Sequence, residues 1–485
     1  GGSGRTAVFP EPTFEMIPRY AGLAGCDVVR VPWWDGPFPT DAFLAHSPDD
    51  QTAVLCVVSP NNPTGLVAEA DAVRRLAEAR PRSLVVLDQA YIEYADTDPG
   101  PSLLDLGNVV IVRTLSKAHG VAGLRIGYAV GPQPCVDALR GTGSPYPVAG
   151  PSLVTAARIL AQGGARTRVH IDRVRQERDE LRAVLSAHGL GVVASQANFV
   201  HAAGPRTAWL ADALESLGIL VRRFTDGRDT RLRITCPGDA QAFARLLRGI
   251  GAALAPQALL FDIDGVLADV SASYRQAILA TAHSFGVALA AEDIRALKTA
   301  GNANNDWELT RRAMALHGVD MDLASVTERF EELYQGTPTR PGLRTHESVL
   351  VDPGAFQGLA RALPLGVVTG RPRRDAERFL TEQGLAGACR AVVCMEDAEL
   401  KPSPAPLRKA LEALGVEHAW YFGDTPDDVV AARAAGVVPI GVTAPGDPPE
   451  EAQTALLRAG AARVVASLRH LPRDPRQIFT LLAIP

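Results

Sequence analysis

Two aspartates one residue apart close an apolar run in Leu259-Leu260-Phe261-Asp262-Ile263-Asp264. In locally extended chain, residues two apart send their side chains the same way. Such a pair can divide labour, one carboxylate attacking an electrophile and the other moving the proton. An anionic electrophile beside such a pair would need a cation, and hard divalent cations prefer oxygen ligands. Three further pieces follow in order: Val367-Val-Thr369-Gly-Arg371-Pro, Leu400-Lys401-Pro, and Phe422-Gly-Asp424-Thr-Pro-Asp-Asp428. The first half of the chain carries a different set: Ser59-Pro-Asn-Asn62-Pro-Thr-Gly65, Val86-Leu-Asp88-Gln-Ala-Tyr91, Arg113-Thr114-Leu-Ser116-Lys117, Gly123-Leu-Arg125-Ile-Gly-Tyr128 and Arg231-Leu-Arg233-Ile-Thr235. There a lysine amine, Lys117, is available for Schiff-base chemistry with a carbonyl compound.

Each piece taken alone has a plainer reading. Ser116-Lys117 could open an exposed helix, and Asp88 could be a strand-end carboxylate or a helix cap. Arg233 could sit on a solvated strand face, and Arg222 and Arg223 read as surface charges, although Arg222 could touch a substrate phosphate. The run Gly301-Asn302-Ala-Asn304-Asn305-Asp306-Trp307 could cap a helix or contact substrate. Arg371 and Arg373 are read equally as surface charges or as anion contacts. The ordered sets carry the functional reading, not their members.

The elements that must position these residues are short apolar runs alternating with Ala/Leu/Arg-rich stretches, which implies α/β architecture with mainly parallel sheets. Strands are expected at 54–58, 84–87, 109–112, 127–130, 258–261, 365–368, 420–422 and 439–442, each followed by a polar loop of the kind that bears active sites. A Pro/Gly-rich break at 141–151 divides the first half. Beyond it come a long helical stretch to about His188, β-like regions at 191–200 and 231–235, and a helix at 240–251. The segment Leu254-Ala-Pro-Gln257 is the expected main boundary, and 271–343 reads as a mostly helical insert.

The 485 residues exceed one core. Hydrophobic residues at 47% and charged residues at 21% are ordinary for a globular protein, and a net charge of -5 gives no reason to expect nucleic acid or an anionic membrane. Six scattered cysteines without a C-x-x-C pair read as reduced thiols. No signal peptide or membrane-length apolar run is visible, so a cytoplasmic protein is expected.

The five pieces of the first half together resemble fold-type I pyridoxal-phosphate aminotransferases, most closely histidinol-phosphate aminotransferases, over roughly residues 5–250. The resemblance implies pyridoxal 5'-phosphate as cofactor, carried on Lys117. Asp88 would keep its pyridine nitrogen protonated. Asn62 and Tyr91 would bond the ring oxygen, Phe14 would stack on the ring, and Thr114, Ser116 and Arg125 would hold its phosphate. Arg233 would grip the amino donor's carboxylate, with Asn198 near the same mouth. A homodimer through this part is implied too. In the family a strand and a glycine-containing helix start precede the segment matching Arg5-Thr-Ala-Val and cradle the phosphate, so the chain is expected to begin inside that domain.

Residues 257–485 resemble haloacid dehalogenase superfamily phosphohydrolases of subfamily IA, with a C1 cap. This implies Asp262 as nucleophile, Asp264 as acid and base, Thr369 as donor to the transferring group and Lys401 as neutraliser. Mg2+ would be held by Asp262, the Asp264 carbonyl and Asp424, supported by Asp428. An aspartate at 264 favours phosphatase over dehalogenase chemistry, because chloride leaves without a proton. The expected fold is α/β: an incomplete pyridoxal-phosphate transferase large domain (1–150), a small α+β domain (151–253), and a Rossmann-like domain (257–485; core 257–270 and 344–485, cap 271–343). The expected function is bifunctional, turning a phosphorylated ketone into a phosphorylated amine and then removing the phosphate, as in imidazole-acetol phosphate to histidinol phosphate to histidinol. Two alternatives stand beside it. Either the phosphatase alone acts, on an unrelated phosphomonoester, with the first half as scaffold, or the chain is a pyridoxal-phosphate-binding regulator.

Overall fold

The structure, a computed structural model, describes residues 4–226, 229–301 and 304–483. They form two compact units: Gly1–Ala208 with Val221–Arg245, and Trp209–Leu220 with Leu246–Pro485.

The first unit is built on a six-stranded sheet of β1 (Arg5–Glu11), β2 (Cys26–Pro32), β3 (Thr52–Val58), β4 (Leu84–Asp88), β5 (Val109–Thr114) and β6 (Gly127–Val130), in the order β2-β1-β3-β4-β5-β6. All neighbours are parallel except β5 and β6. The apolar runs of β1 and β3 are largely buried on both faces, as central strands of a parallel sheet require, whereas the edge strand β6 is exposed along its length. Leu55, Val57, Val85 and Leu87 on one face pack with Trp33, Phe43 and the Val73/Leu76 stripe of helix Ala70–Ala79. Burying each such side chain contributes roughly 1.5–3 kcal/mol. A second, antiparallel sheet has β7 (Gly191–Val192), β8 (Phe199–Ala203), β9 (Arg222–Asp226) and β10 (Asp229–Thr235) in the order β7-β8-β10-β9. The strand expected to end near Val200 instead starts at Phe199. Backbone groups before it are used elsewhere, with Gln196 N bonding Gly65 O and Ala197 N bonding Ser195 Oγ. The long helix divides into Gly150–Gln162 and Gly164–Ala187 at the Gly163-Gly164 pair, where helix propensity is poorest.

The second unit holds β11 (Ala258–Phe261), β12 (Ala268–Asp269), β13 (Gly336–Thr337), β14 (Arg340–Pro341), β15 (Ser348–Val349), β16 (Leu365–Val368), β17 (Cys389–Val393), β18 (Ala419–Gly423), β19 (Val438–Val442) and β20 (Arg463–Val465). Six of them form a parallel sheet in the order β17-β16-β11-β18-β19-β20. The insert carries helices Tyr274–Ser284, Ala291–Ala300, Asp306–Leu316 and Leu323–Gln335, and its two ends are tied by the antiparallel pair β12/β15. Trp209, Ala252 and Ala253, which precede the Leu254–Gln257 linker, pack with the six-stranded sheet of this unit. Trp209 and Trp420 rings meet edge to face at 4.9 Å, Trp209 Nε1 donates to Ala253 O, and Trp420 Nε1 to Ala252 O. Arg433 reaches Ser216 O, and Arg463 pairs with Asp212. Among the described residues, no helix is long and apolar enough to cross a membrane.

Candidate functional site

Strand β11 runs down the middle of its sheet, and the loop at its end carries Asp262, which is 5% exposed. Neighbouring β16 delivers Thr369 and β18 delivers Asp424, so three adjacent strands aim their loops at one point. Lys401 arrives from the loop after β17 and is 3% exposed. Its Nζ donates to Asp428 Oδ1 at 2.6 Å, Tyr421 Oη at 2.9 Å and Asp262 Oδ1 at 3.1 Å. Asp428 is fixed by a capping box at the start of helix Pro426–Ala435. Its Oδ2 accepts from Thr425 N and Oγ1, while its own N–H donates to Thr425 Oγ1. Two glycines permit the crowding. A Cβ on Gly423 would lie 2.3 Å from Asp428 Cβ, and one on Gly265, whose φ is +72°, would lie 2.3 Å from Asp424 Oδ2.

Asp262, Asp424 and Asp428 each offer an oxygen within 4.8 Å of the others. Burial pushes the Asp262 carboxyl up to about 7 against the pull of Lys401, and burial with the charges of Asp428 and Asp262 holds Asp424 well above its usual range. For Asp428 burial acts in the same direction, but Lys401 and Thr425 outweigh it and its carboxyl stays low. Lys401 is the one cation hydrogen-bonded to these carboxylates among the described residues, while Lys298 and Arg275 act on Asp424 only through their charge and leave it raised, a deficit that a divalent cation would fill. The residues fit Mg2+, with Asp262 and Asp424 as the open donors and Asp428 occupied in holding Lys401. The side chain of Asp264 lies outside this cluster and bonds Arg371 at 2.6 and 2.8 Å. Thr369 is buried, and its Oγ1 accepts from Arg371 N.

In the first unit, Asp88 ends β4, where its Oδ1 accepts from Ala90 N. Burial raises its carboxyl above the usual range, opposed by that N–H and by the charge of Lys117. Lys117 Nζ lies 5.2 Å from the Tyr91 ring centroid. Asn62 Oδ1 accepts from Arg233 Nη1 at 2.6 Å, and the Arg233 guanidinium lies 5.1 Å from the Phe199 ring. Arg233 Nε is buried without a partner among the described residues. Thr114 Oγ1 donates to Ser116 Oγ at 2.8 Å. Asp88, Tyr91 and Lys117 therefore converge, and Asn62 and Arg233 meet across the two sheets of this unit. A raised strand-end carboxyl with no hydrogen-bonded cation among the described residues, and an arginine with an orphaned N–H, fit pyridoxal phosphate and a carboxylate donor. Arg125 is exposed at φ +55°, its Nη1 on Ala122 O, and no contact among the described residues joins it to Thr114 or Ser116. Phe14 is 44% exposed. Asn198 is half-buried, and its carbonyl accepts from Cys236 N.

Several contributors escape a reading by motif. Tyr421 interrupts an apolar strand with a hydroxyl, a signal that was available; it bonds Lys401 and Asp428. Asn304 Nδ2 reaches Lys401 O and Asp427 Oδ2, both at 3.0 Å, whereas Asn305 caps helix Asp306–Leu316. Asn302 lies outside the described residues. Arg371 is 1% exposed and Arg373 pairs with Glu377 and Asp397, so neither is a free surface charge. Arg275 is fixed to Asp447 by two bonds of 2.7 and 2.9 Å.

The family described as Aminotransferase class I and II matches residues 2–250, and the family described as Haloacid dehalogenase-like hydrolase matches residues 259–442. An imidazoleglycerol-phosphate dehydratase from Phytophthora nicotianae is 50% identical over 197 residues, 39% of this chain and 44% of that protein. An aromatic amino acid aminotransferase from Mycobacterium bovis is 38% identical over 253 residues, 50% of this chain and 70% of that protein. The chain thus spans under half the length of the first relative. The crystal structure of histidinol-phosphate aminotransferase from Sinorhizobium meliloti in complex with pyridoxal-5'-phosphate shares 25% identity at a TM-score of 0.46, covering 52% of this chain and 71% of that one.

Proposed function

Because the chain belongs to the class I and II aminotransferases and continues into a haloacid dehalogenase-like hydrolase, we propose that it is a bifunctional enzyme, a pyridoxal-phosphate-dependent aminotransferase joined to a Mg2+-dependent phosphomonoesterase. The observation that carries the second activity is the buried Lys401 bridging Asp262 and Asp428 beside Asp424. Asp262 attacks phosphorus to give an aspartyl phosphate, Asp264 protonates the departing alcohol and then takes a proton from water, and Thr369 and Lys401 offset charge on the transferring group. Mg2+ supplies the positive charge that lets two anions approach.

In the first half, pyridoxal phosphate supplies the electron sink for the pair left when the donor's Cα–H bond breaks. Lys117 carries that proton, Asp88 holds the ring nitrogen protonated, Asn62 and Tyr91 orient the ring, and Phe14 covers it. Thr114, Ser116 and Arg125 bind the phosphate end, and Arg233, with Asn198 beside it, holds the donor's carboxylate. We assign domains at 1–150, 151–253 and 257–485, a cytoplasmic location, and a homodimer through the aminotransferase part.

For the substrate we propose a phosphorylated imidazole ketone, with glutamate as donor, giving histidinol phosphate and then histidinol. The name of the Phytophthora relative refers to a phosphate ester of an imidazole alcohol, which favours that class. The test supplies imidazole-acetol phosphate, glutamate, pyridoxal phosphate and Mg2+ to the purified chain. Histidinol and inorganic phosphate are expected; Asp262→Asn should stop at histidinol phosphate, and Lys117→Ala should form neither. Phosphate release that survives Asp262→Asn, or borohydride-fixed cofactor that still appears in Lys117→Ala, would refute the assigned residues.

A further inference from the structure

Arg371 stands two residues beyond Thr369, with its guanidinium between two rings, 4.8 Å from the Tyr274 centroid and 5.1 Å from that of Phe379. Nε and Nη2 both donate to Asp264 Oδ1. Nη1 and Nη2 donate to Glu347 at 3.0 and 3.3 Å. Glu347 also accepts from Tyr334 Oη at 2.8 Å and Ser273 Oγ at 3.1 Å. Ser273 precedes the first cap helix, Tyr334 lies in the last, and Glu347 directly precedes β15 on the return to the core. Both crossings between core and cap therefore meet at one carboxylate, which anchors the arginine that anchors Asp264.

The fork takes only one oxygen of Asp264. Oδ2 has no partner among the described residues, and Asp264 lines a cavity of about 20 Å³ with Asn304, Asp306, Trp307 and Tyr274. A buried guanidinium held by two carboxylates and two rings has one position, so Oδ1 is pinned and Oδ2 is left without a partner among the described residues.

We propose that Arg371 is a positioning residue that aims Asp264 Oδ2 at the leaving-group oxygen, and that its grip depends on the cap through Glu347, Tyr334 and Ser273. This rests on the hydrolase reading above. In the first half-reaction an Asp262 oxygen bonds to phosphorus, the bond from phosphorus to the alcohol oxygen breaks, and the Asp264 proton passes to that oxygen. In the second, water bonds to phosphorus, the Asp262–phosphorus bond breaks, and a water proton returns to Asp264. Arg371 joins neither bond change; it sets the geometry of both proton transfers.

First-turnover rates with Mg2+ separate this from a merely structural ion pair. The probes are phenyl phosphate, whose leaving group needs a proton, and dinitrophenyl phosphate, whose leaving group does not. In Arg371→Met the phenyl phosphate burst should slow by about 100-fold, the share a general acid contributes, while the dinitrophenyl burst stays within about threefold. That retained burst shows that the variant is folded. Tyr334→Phe, which removes a single bond to Glu347, should show the same selectivity at about tenfold, and Arg371→Lys should recover part of the loss. Equal loss on both esters, or no loss on phenyl phosphate, overturns the proposal while leaving the hydrolase reading intact. A normal burst in Asp262→Asn would overturn that reading, and this inference with it.

Discussion

Replacing Lys401 by Met is the perturbation with the most to lose. The ammonium is 3% exposed and makes close contacts to Asp428, Tyr421 and Asp262. Burial opposes its charge, yet Asp262 and Asp428 hold its pKa above the usual lysine range. Removing one partner of a buried ion pair costs about 3–5 kcal/mol, because the remaining charge stays buried without compensation. Here two carboxylates lose their shared cation, so the upper part of that range is expected for Lys401→Met at pH 8 in EDTA. Asp262 is already raised to about 7 and climbs further without Lys401. A carboxyl whose folded pKa exceeds its unfolded value loses stability as pH rises between the two, so the deficit should grow from pH 5 to pH 8. Mg2+ should restore stability to the variant, by about 2.7 kcal/mol at a hundredfold excess over its dissociation constant. Phosphate release should fall by about 10²–10³, as when an electrostatic donor is removed from a transition state. Denaturant unfolding across pH, with and without Mg2+, reads all of this. A variant within 1 kcal/mol of the parent in EDTA, roughly a third of the smallest expected loss, would refute the claim that Lys401 neutralises the cluster.

Other outcomes follow from single features. Gly265→Ala places a Cβ against Asp424 Oδ2 at positive φ; half-saturating Mg2+ for phosphate release should rise by about tenfold or more, with about 1–3 kcal/mol lost to strain. An unchanged Mg2+ titration would contradict the crowding. Arg233→Lys keeps charge but loses the fork held by Asn62 and the stack on Phe199, so KM for the amino donor should rise about tenfold with a smaller change in kcat. His201 is wholly buried, stacks with Trp34, and has both ring nitrogens unpartnered among the described residues. Burial and Arg231 lower its pKa to about 4. The unfolded chain then binds the extra proton first, so roughly 3 kcal/mol is lost as pH falls from 6.5 to 4. In His201→Phe that part of the acid slope should vanish from unfolding curves.

The hydrolase cluster was legible in the sequence because its chemistry sits on loops directly after strands, where a few adjacent residues fix both backbone and role. Asp262, Thr369, Asp424 and Asp428 are of this kind. What supports them is not local. Arg371 could be read only as surface or anion contact, since its partners lie 107 and 24 positions away. Glu347 carries no signature at all, and Asn304 stands in a run readable only as a helix cap or a substrate contact; each acquires its role by packing. In the first half Asp88, Tyr91 and Lys117 were legible for the same reason as the hydrolase motifs. The late start of β8 was not, because a hydrogen bond to Gly65 draws the preceding segment away from the ladder.

The indole pair Trp209 and Trp420 has a practical consequence for anyone wishing to express the hydrolase-like part alone. A gene fragment opening at codon 257 would discard the carbonyl of Ala252, the acceptor for Trp420, together with the aromatic neighbour that shields it. The excised piece would keep Phe479 against that indole but lose the cover on its other contact, and reduced solubility would be the expected result. A usable fragment must keep the residues from Trp209 onward, because the second unit takes in Trp209–Leu220 as well as Leu246–Pro485.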